Sequence, residues 1–379
     1  MNICKLLKEQ YPNGIDCKML GEVTTWDKKF NGTDKKLQPK TVKFKHVSAS
    51  KLKQIAHADG DIRLLATGSF EGYAHIDEVD ESITNTGEVI SIPSGGSADI
   101  KYHDGKFIDS GNLLAVSSDP TKYSLKYIWH WLLENNLLIQ ERFRGSAVQH
   151  PDMPSILKLP IPIPPLPVQE EIVRILDTFT ELTAELTAEL TARKKQYEFY
   201  REDLLKLEGV DGVKYTPIGN VLKDGSAKKS VTKNEYKDKG KYPIIDQSQA
   251  DIAGFTDKAE AVPPTLPCII FGDHTRIVKY ADTKFAQGSS GTRVFVVDSG
   301  HVDPKYVYYA MSNLKIESRG YNRHWSVVKD MEIPLPPLPV QAEIVRILDT
   351  FTELIAELTA EIELRQKQYE FYREKLLTF

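Results

Sequence analysis

An internal repeat constrains this chain more than any other feature. Residues 161–205 reappear at 333–377 with a constant offset of 172 and no gap, and 37 of the 45 aligned positions are identical. Chance does not produce such a match, so both segments are expected to adopt one structure. The first copy opens IPIPPLPVQEEIVRILDTFTELTAELTAEL and closes RKKQYEFYREDLL; the second opens IPLPPLPVQAEIVRILDTFTELIAELTAEI and closes RQKQYEFYREKLL. The segments outside the repeat, 1–155 and 209–328, look distantly alike in plan but differ in nearly every residue. Shared connectors with divergent heads suggest one partner and two different targets.

Each copy begins with prolines (Pro162, Pro164, Pro165, Pro167 and Pro334, Pro336, Pro337, Pro339) that favour a stiff, extended approach. Helix is expected to start just after the last of them. Glu170 and Glu171 then fall in a first turn that favours carboxylates, and a run free of Gly and Pro continues as a rod of roughly 60 Å. Along it Ile172, Ile175, Phe179, Leu182 and Leu186 are spaced 3, 4, 3, 4, as are Ile344, Ile347, Phe351, Leu354 and Leu358. This is a coiled-coil seam. Such a stripe needs a cover, and the identical stripe elsewhere in the chain supplies one. The intervening domain allows an antiparallel pair. The alternatives are that each helix packs on its own head, or that it pairs with a second copy of the chain. The PxxP segments could also serve as ligands for an aromatic groove.

Both heads read as mixed α/β. Glu88–Ile92, Ile269–Phe271 and Arg293–Val297 are strand-like, and Tyr127–Leu138 and Tyr306–Leu314 are the clearest helices. These helices follow the strand-like runs LLAVSS (113–118) and VFVVDS (294–299), each through a turn with an Asp-Pro pair, Asp119-Pro120 and Asp303-Pro304. The expected architecture is therefore α+β. A first head covers 1–155, a Pro-rich lead-in and long helix 156–208, a second head 209–328, and the second lead-in and helix 329–379. The two helices form an antiparallel coiled coil, and the whole carries an internal pseudo-twofold repeat.

Composition narrows the class. At 379 residues, 41% hydrophobic and 27% charged, the chain is long enough for two or three globular domains. Met1–Lys8 lacks a signal-peptide core and no apolar run is long enough to span a bilayer, so a cytoplasmic protein without a membrane role is expected. Cys4, Cys17 and Cys268 are too scattered for a disulfide framework, and no zinc spacing occurs. The net charge of −4 is unevenly spread: residues 1–155 carry 19 basic and 20 acidic groups, 209–328 carry 17 and 13, and the helical segments together carry 13 and 20. The helices thus supply the whole negative excess, and local patches, not the average, decide whether DNA can bind.

Taken together, the PPLP-V-Q segments at 164–169 and 336–341, IVRILD at 172–177 and 344–349, and the TAEL tetrapeptides resemble the specificity subunits of type I restriction-modification systems. The resemblance covers the whole chain. It implies that each head is a target recognition domain reading one half of a bipartite asymmetric site in double-stranded DNA. It also implies that the helices set the gap and dock two methyltransferase subunits, and that restriction subunits join through that core. S-adenosylmethionine, ATP and Mg would then be expected on the partner subunits, with no cofactor in this chain. GSAVQHPDMPSILKLPIP (145–162) and NRHWSVVKDMEIPLP (322–336) would be the returns from each head into its helix; the second departs from the family's usual Gly-Ser-x-x-Gln start.

Thr183–Leu190 reads TAELTAEL. Four residues rotate a helix by about 400° and lengthen it by roughly 6 Å, so a gained or lost tetrapeptide keeps the apolar stripe within about 40° of its direction. At about 3.4 Å per base pair this moves the heads by one to two base pairs.

In the first head Lys28, Lys29, Lys35, Lys36, Lys40, Lys43, Lys45, Lys51 and Lys53 are opposed only by Asp27 and Asp34, a candidate phosphate track. The second head has Lys228, Lys229, Lys233, Lys237, Lys239 and Lys241. A solvated lysine-rich loop is the competing reading of each. Planar and bidentate groups collect near the ends of the heads: Arg142, Arg144, Gln149 and His150, then Arg319, Tyr321, Asn322, Arg323 and His324, with Arg276 in a Gly-rich turn region. SGGSAD (94–99), FGDHTR (271–276) and AQGSSGT (286–292) could bring backbone close to a duplex, or be simple tight turns. His274 beside Asp273 lacks a second ligand at any recognisable metal spacing.

No Asn/Asp-Pro-Pro-aromatic motif, Gly-rich strand-to-helix loop or G-x-x-x-x-G-K-[ST] segment suggests catalysis in this chain. A coiled-coil scaffold whose heads bind proteins would explain the rods but not the paired lysine tracks.

Overall fold

The computed structural model describes residues 15–68, 70–297 and 300–378. Met1–Lys8 with Cys4, and the last two residues of the 294–299 run, lie outside them. The chain divides into two compact units, residues 1–185 with 362–379, and residues 186–361.

The first head is built on six strands, β1 (Thr24–Trp26), β2 (Ile62–Ala66), β3 (Glu71–Ala74), β4 (Asn85–Pro93), β5 (Lys101–Ser110) and β6 (Asn112–Ser117), in the order β1-β6-β4-β5-β2-β3. The β4–β5 hairpin is antiparallel, while the last part of β5 runs parallel to β2. Successive side chains of β4 go to opposite faces. Val89 packs with Leu65, Phe107 and Leu114, whereas Ile90 and Ile92 join Trp26, Ile128 and Trp131. A sheet covered on both faces explains why this strand reads as an apolar run instead of an alternating one.

Helix α1 (Leu125–Glu134) follows the sheet, its N-terminus capped by Ser124 Oγ, which accepts from Tyr127 N. The expected helix 127–138 is in fact two. It breaks at Asn135, whose Nδ2 donates to the Trp131 carbonyl, before Asn136–Gln140 resumes. Asn competes with helix in this way because its short amide reaches the backbone.

The second head repeats the plan in other residues. Strands β7 (Leu222–Asp224), β10 (Cys268–Gly272), β11 (Val278–Ala281) and β13 (Thr292–Val297) form a sheet in the order β7-β13-β10-β11. Strands β8 (Tyr242–Ile245), β9 (Gly254–Thr256) and β12 (Ala286–Gln287) form another in the order β9-β8-β12. The two roles of β5 are divided here: β11 pairs antiparallel with β10, and β12 pairs parallel with β8. The exposed residues Asp282, Thr283 and Lys284 interrupt what is one strand in the first head. Helix α3 (Pro304–Ser312) occupies the place of α1, capped by Asp303 with Pro304 at its first position.

The long helices α2 (Leu166–Leu204) and α4 (Leu338–Leu377) are 39 and 40 residues long. Both begin one residue before the last proline, not after it. Pro167 and Pro339 lie in the first turn, where the missing N–H leaves no bond unmade. Glu170 and Glu171 consequently fall beyond that turn.

Each unit contains a piece of each helix. In the first, Phe179 stacks on Tyr372 with ring centroids 5.3 Å apart; in the second, Tyr200 stacks on Phe351, also at 5.3 Å. Moving 21 residues forward on α2, from Phe179 to Tyr200, moves 21 back on α4, from Tyr372 to Phe351, as antiparallel pairing requires. Under the 172-residue offset these are one contact made twice. Ile175, Phe179, Leu182, Leu186, Ile347, Phe351, Leu354 and Leu358 are partly buried. At Ile172 and Ile344 the seam runs on into the head cores. Ile172 and its neighbour Leu176 lie in the first head's core with Leu376 and Leu377, while Ile344 and Leu348 lie in the second head's core with Leu205. Each head therefore rests on the start of one helix copy and the end of the other.

Cys17 is exposed and Cys268 buried, both as free thiols; burial pushes the Cys268 thiol up to about 11. No helix among the described residues is long and apolar enough to cross a membrane.

Candidate nucleic-acid interface

Anything the heads present is positioned by how they are fixed to the helices. Short antiparallel ladders close each neck, Cys17–Met19 against Pro160–Pro162 and Lys214–Pro217 against Glu332–Leu335. At Gly219, whose N–H donates to the Lys329 carbonyl, an added Cβ would sit 2.9 Å from that oxygen, so the approach requires glycine.

The glutamine of each PPLPVQ segment is buried. Gln169 Nε2 donates to the carbonyls of Lys122 (2.9 Å) and Pro164 (2.7 Å), and its Oε1 accepts from Ser124 N (2.9 Å), the residue capping α1. Gln341 donates to Pro336 O (2.7 Å) and accepts from Asp303 N (2.9 Å), the residue capping α3. One side chain thus ties the start of the long helix to the start of the head helix. A turn or two along, the IVRILD aspartates repeat the device. Asp177 meets Lys126 Nζ at 2.7 Å and His130 Nε2 at 3.4 Å. Asp349 meets Lys305 Nζ at 2.8 Å and accepts from the Tyr309 hydroxyl at 2.6 Å. The motif letters that carried the resemblance are therefore docking residues. Their pairing with Lys126, His130, Lys305 and Tyr309 was not visible in the sequence, because the partners lie some 40 to 50 positions away.

In the first lysine track, Lys35, Lys36, Lys40 and Lys43 are exposed. Lys45 differs: its ammonium turns back onto the carbonyls of Glu81 (2.6 Å) and Thr84 (3.0 Å), which makes it a structural cation. The far end of the track is held by His46, whose Nδ1 lies 2.8 Å from Asp109 and whose Nε2 lies 3.2 Å from Asp27. Burial raises the Asp27 carboxyl above its usual range. Gln38 pins the middle, accepting from Phe30 N and donating to Lys28 O. In the second head Lys228, Lys229 and Lys233 are exposed, whereas Lys237 pairs with Asp257 at 3.0 Å.

The planar groups at the ends of the heads divide into free and engaged. Arg144 is exposed. Arg142 donates to Leu138 O at the end of its short helix, Gln149 accepts from Gln140 Nε2, and His150 Nδ1 lies 2.5 Å from Ser94 O. In the second head Arg276 donates to Ile316 O (2.7 Å) from a left-handed backbone with φ 65°. Asn322 Nδ2 donates to Arg319 O (2.6 Å), leaving the exposed Arg319 guanidinium unconstrained by that bond. Arg323 lines a cleft of about 510 Å³ with Asp224, Arg293, Trp325 and Lys329.

His324 is a correction. It is 1% exposed, Nδ1 lies 2.9 Å from Asp273 O, and Nε2 accepts from Arg319 N at 3.1 Å. With both nitrogens engaged inside the protein it has no edge to offer a base. The residue that organises this region is Asp273, buried and bonded to Arg293 Nε (2.8 Å) and Trp325 N (2.8 Å). In the sequence Asp273 stands out only beside His274, because its actual partners lie 20 and 52 positions away, on a strand and at the start of a short helix.

Comparison with known proteins agrees with this architecture. The family described as Type I restriction modification DNA specificity domain matches the chain twice, at residues 42–193 and 211–364. The type I restriction enzyme EcoR124I/EcoR124II specificity subunit of Escherichia coli is 33% identical over 316 residues, covering 73% of this chain and 76% of that one. The crystal structure of a type I restriction-modification system S subunit from M. genitalium superposes with a TM-score of 0.71 at 16% identity, covering 97% of both chains, and so shares the fold. Two matches to one family, each falling across a head and into its helix, place the chain among the DNA specificity subunits of type I restriction-modification systems.

Proposed function

We propose that the two heads each contact one half of a split, asymmetric duplex site, and that the paired helices set the unread gap and carry two methyltransferase subunits. The observation that carries this reading is the contrast within the chain. Both heads follow one strand plan, a single sheet in the first and two sheets in the second, and share one docking device, Gln169 with Asp177 and Gln341 with Asp349, yet differ in nearly every exposed loop residue. Identical mounts with different faces suit one assembly reading two sequences. Methyltransferase docking fits Phe199 and Phe371, which occupy the same place in the repeat and are 64% and 55% exposed. Two equal apolar rings on the two helices suit two copies of one partner. Restriction subunits would join that assembly, and S-adenosylmethionine, ATP and Mg would be held by those partners. The complex would act in the cytoplasm.

The test is to co-express the chain with a methyltransferase subunit of its system and map methylated adenines across the host genome by long-read sequencing. A split asymmetric motif that appears only with this chain is the expected result. An active partner that leaves no motif would overturn the proposal.

A further inference from the structure

Resting on the reading of the heads as half-site readers, we infer that the base-reading edge of each head is one junction. There the turn of the central hairpin meets the segment returning to the long helix, and Val148 in the first head and Tyr321 in the second are specificity-determining residues.

In the first head the turn joining β4 to β5, residues 94–100, carries the return on top of it. Gly96 N donates to Gln149 O at 2.8 Å. A Cβ on Gly95 would lie 3.2 Å from both Val148 and His150. In the second head the turn joining β10 to β11, residues 273–277, meets the return at the same topological position. His324 N donates to Asp273 O at 2.8 Å, and the Tyr321 ring lies flat on His274, centroids 4.5 Å apart and 8° from parallel. The residues have nothing in common, so the shared feature is the place.

Each junction projects one apolar side chain that folding does not use. Val148 is 54% exposed and Tyr321 is 86% exposed. Tyr321 is nonetheless fixed by its stack, so presenting it to a partner costs little side-chain entropy. Among the described residues, Arg276 (φ 65°) and Ser289 (φ 27°) are the non-glycines at positive φ, and both flank this junction. Gln247 holds the surrounding loops: its Oε1 accepts from His274 N (3.2 Å), its carbonyl accepts from Thr275 Oγ1 (2.7 Å), and its Nε2 donates to Ser290 O (3.2 Å). Strained backbone concentrated where loops converge marks a shape kept for contact. An apolar contact to a thymine methyl or base edge, beside arginines that can take phosphates, is the duplex-DNA chemistry this edge fits.

The wild-type methylation motif first defines the two half-sites; its absence would count against the proposed function, not this assignment. Purified complexes carrying Tyr321→Ala or Val148→Ala are then titrated with duplexes in which each base pair of both half-sites is changed in turn. Tyr321→Ala should lower discrimination by about tenfold at one or two base pairs of one half-site, and Val148→Ala should do so in the other. His274→Ala, which keeps the Tyr321 side chain but removes both its stack and the Nδ1 contact to its carbonyl (3.2 Å), should affect the same base pairs as Tyr321→Ala. Wild-type discrimination at every position in all three variants would overturn the inference, as would an equal loss on every duplex. Thermal unfolding of each variant, expected unchanged for the exposed Val148 and Tyr321 and slightly lowered for the partly buried His274, separates loss of reading from loss of fold.

Discussion

At Gln169 a single amide satisfies two carbonyls and one N–H, the Pro164 carbonyl buried and the other two partly so. Gln169→Ala strands all three, so it should destabilise the chain by about 3 kcal/mol in denaturant unfolding. Gln169→Glu should be at least as costly near neutral pH, because a carboxylate cannot donate to the Lys122 and Pro164 carbonyls. A loss confined to the alanine variant would show that packing, not hydrogen bonding, is what the glutamine supplies. A second residue-scale consequence lies at the neighbouring docking pair. Burial holds the His130 imidazole below its ordinary value of 6.5. The unfolded chain then binds the extra proton as pH falls below about 6.5, and stability is lost with acidification. Burial alone would raise the Asp177 carboxyl, but hydrogen bonds from His130 and Lys126 outweigh it and hold it below 3.8, adding a further loss under that pH. The second unit places Tyr309 where the first has His130, and a phenol does not titrate in this range. His130→Tyr should therefore flatten the fall in urea stability between pH 6.5 and pH 4. An unchanged slope across that interval would remove His130 as its source.

The long helices were legible in the sequence because their apolar stripe and their repetition are local patterns, and the antiparallel register follows once Phe179 finds Tyr372. Their beginnings lie one residue before the last proline, not after it, because a proline in a first turn breaks no hydrogen bond. The fate of Ile172 and Leu176 was not legible at all: a heptad stripe marks what must be covered, not whether a helix or a head covers it. The same limit hid the burial of His324 and the folding back of Lys45, whose partners Asp273 and Glu81 are about 50 and 36 positions away. The tetrapeptides sit on a lightly covered stretch of the helix. Thr187, Ala188 and Glu189 are exposed and Leu190 only partly buried. Deleting Thr187–Leu190 removes about 6 Å from α2 alone and shifts the Phe179–Tyr372 and Tyr200–Phe351 stacks by one turn relative to each other, a change the coil takes up as a stutter, so the unread gap should shorten by one to two base pairs and both half-sites should persist. The methylation motif of the deletion variant decides this, and altered bases within either half-site would contradict it.

For the molecule as a whole, a net charge of −4 and an affinity for DNA are compatible only because the charge is partitioned. The helical segments carry 20 acidic against 13 basic groups, and the second head carries 17 basic against 13 acidic. A duplex bound at the second head meets that excess, and at the first head, which carries 19 basic against 20 acidic groups overall, it meets the exposed track Lys35, Lys36, Lys40 and Lys43, while at a Debye length of about 8 Å in physiological salt the distant acidic groups are largely screened. This division of labour separates affinity from reading. Lys228, Lys229 and Lys233 are exposed on flexible stems and suit phosphates, which position a duplex without identifying it. Replacing all three with glutamine should weaken binding to every sequence. It should also reduce the slope of log K against log salt by about 0.9 per phosphate contact removed, at most about 2.7 for the three. The methylation motif should stay intact at both half-sites. If the motif relaxes at particular bases while the salt slope stays constant, these lysines read sequence, and the phosphate track of the second head must lie elsewhere on its surface.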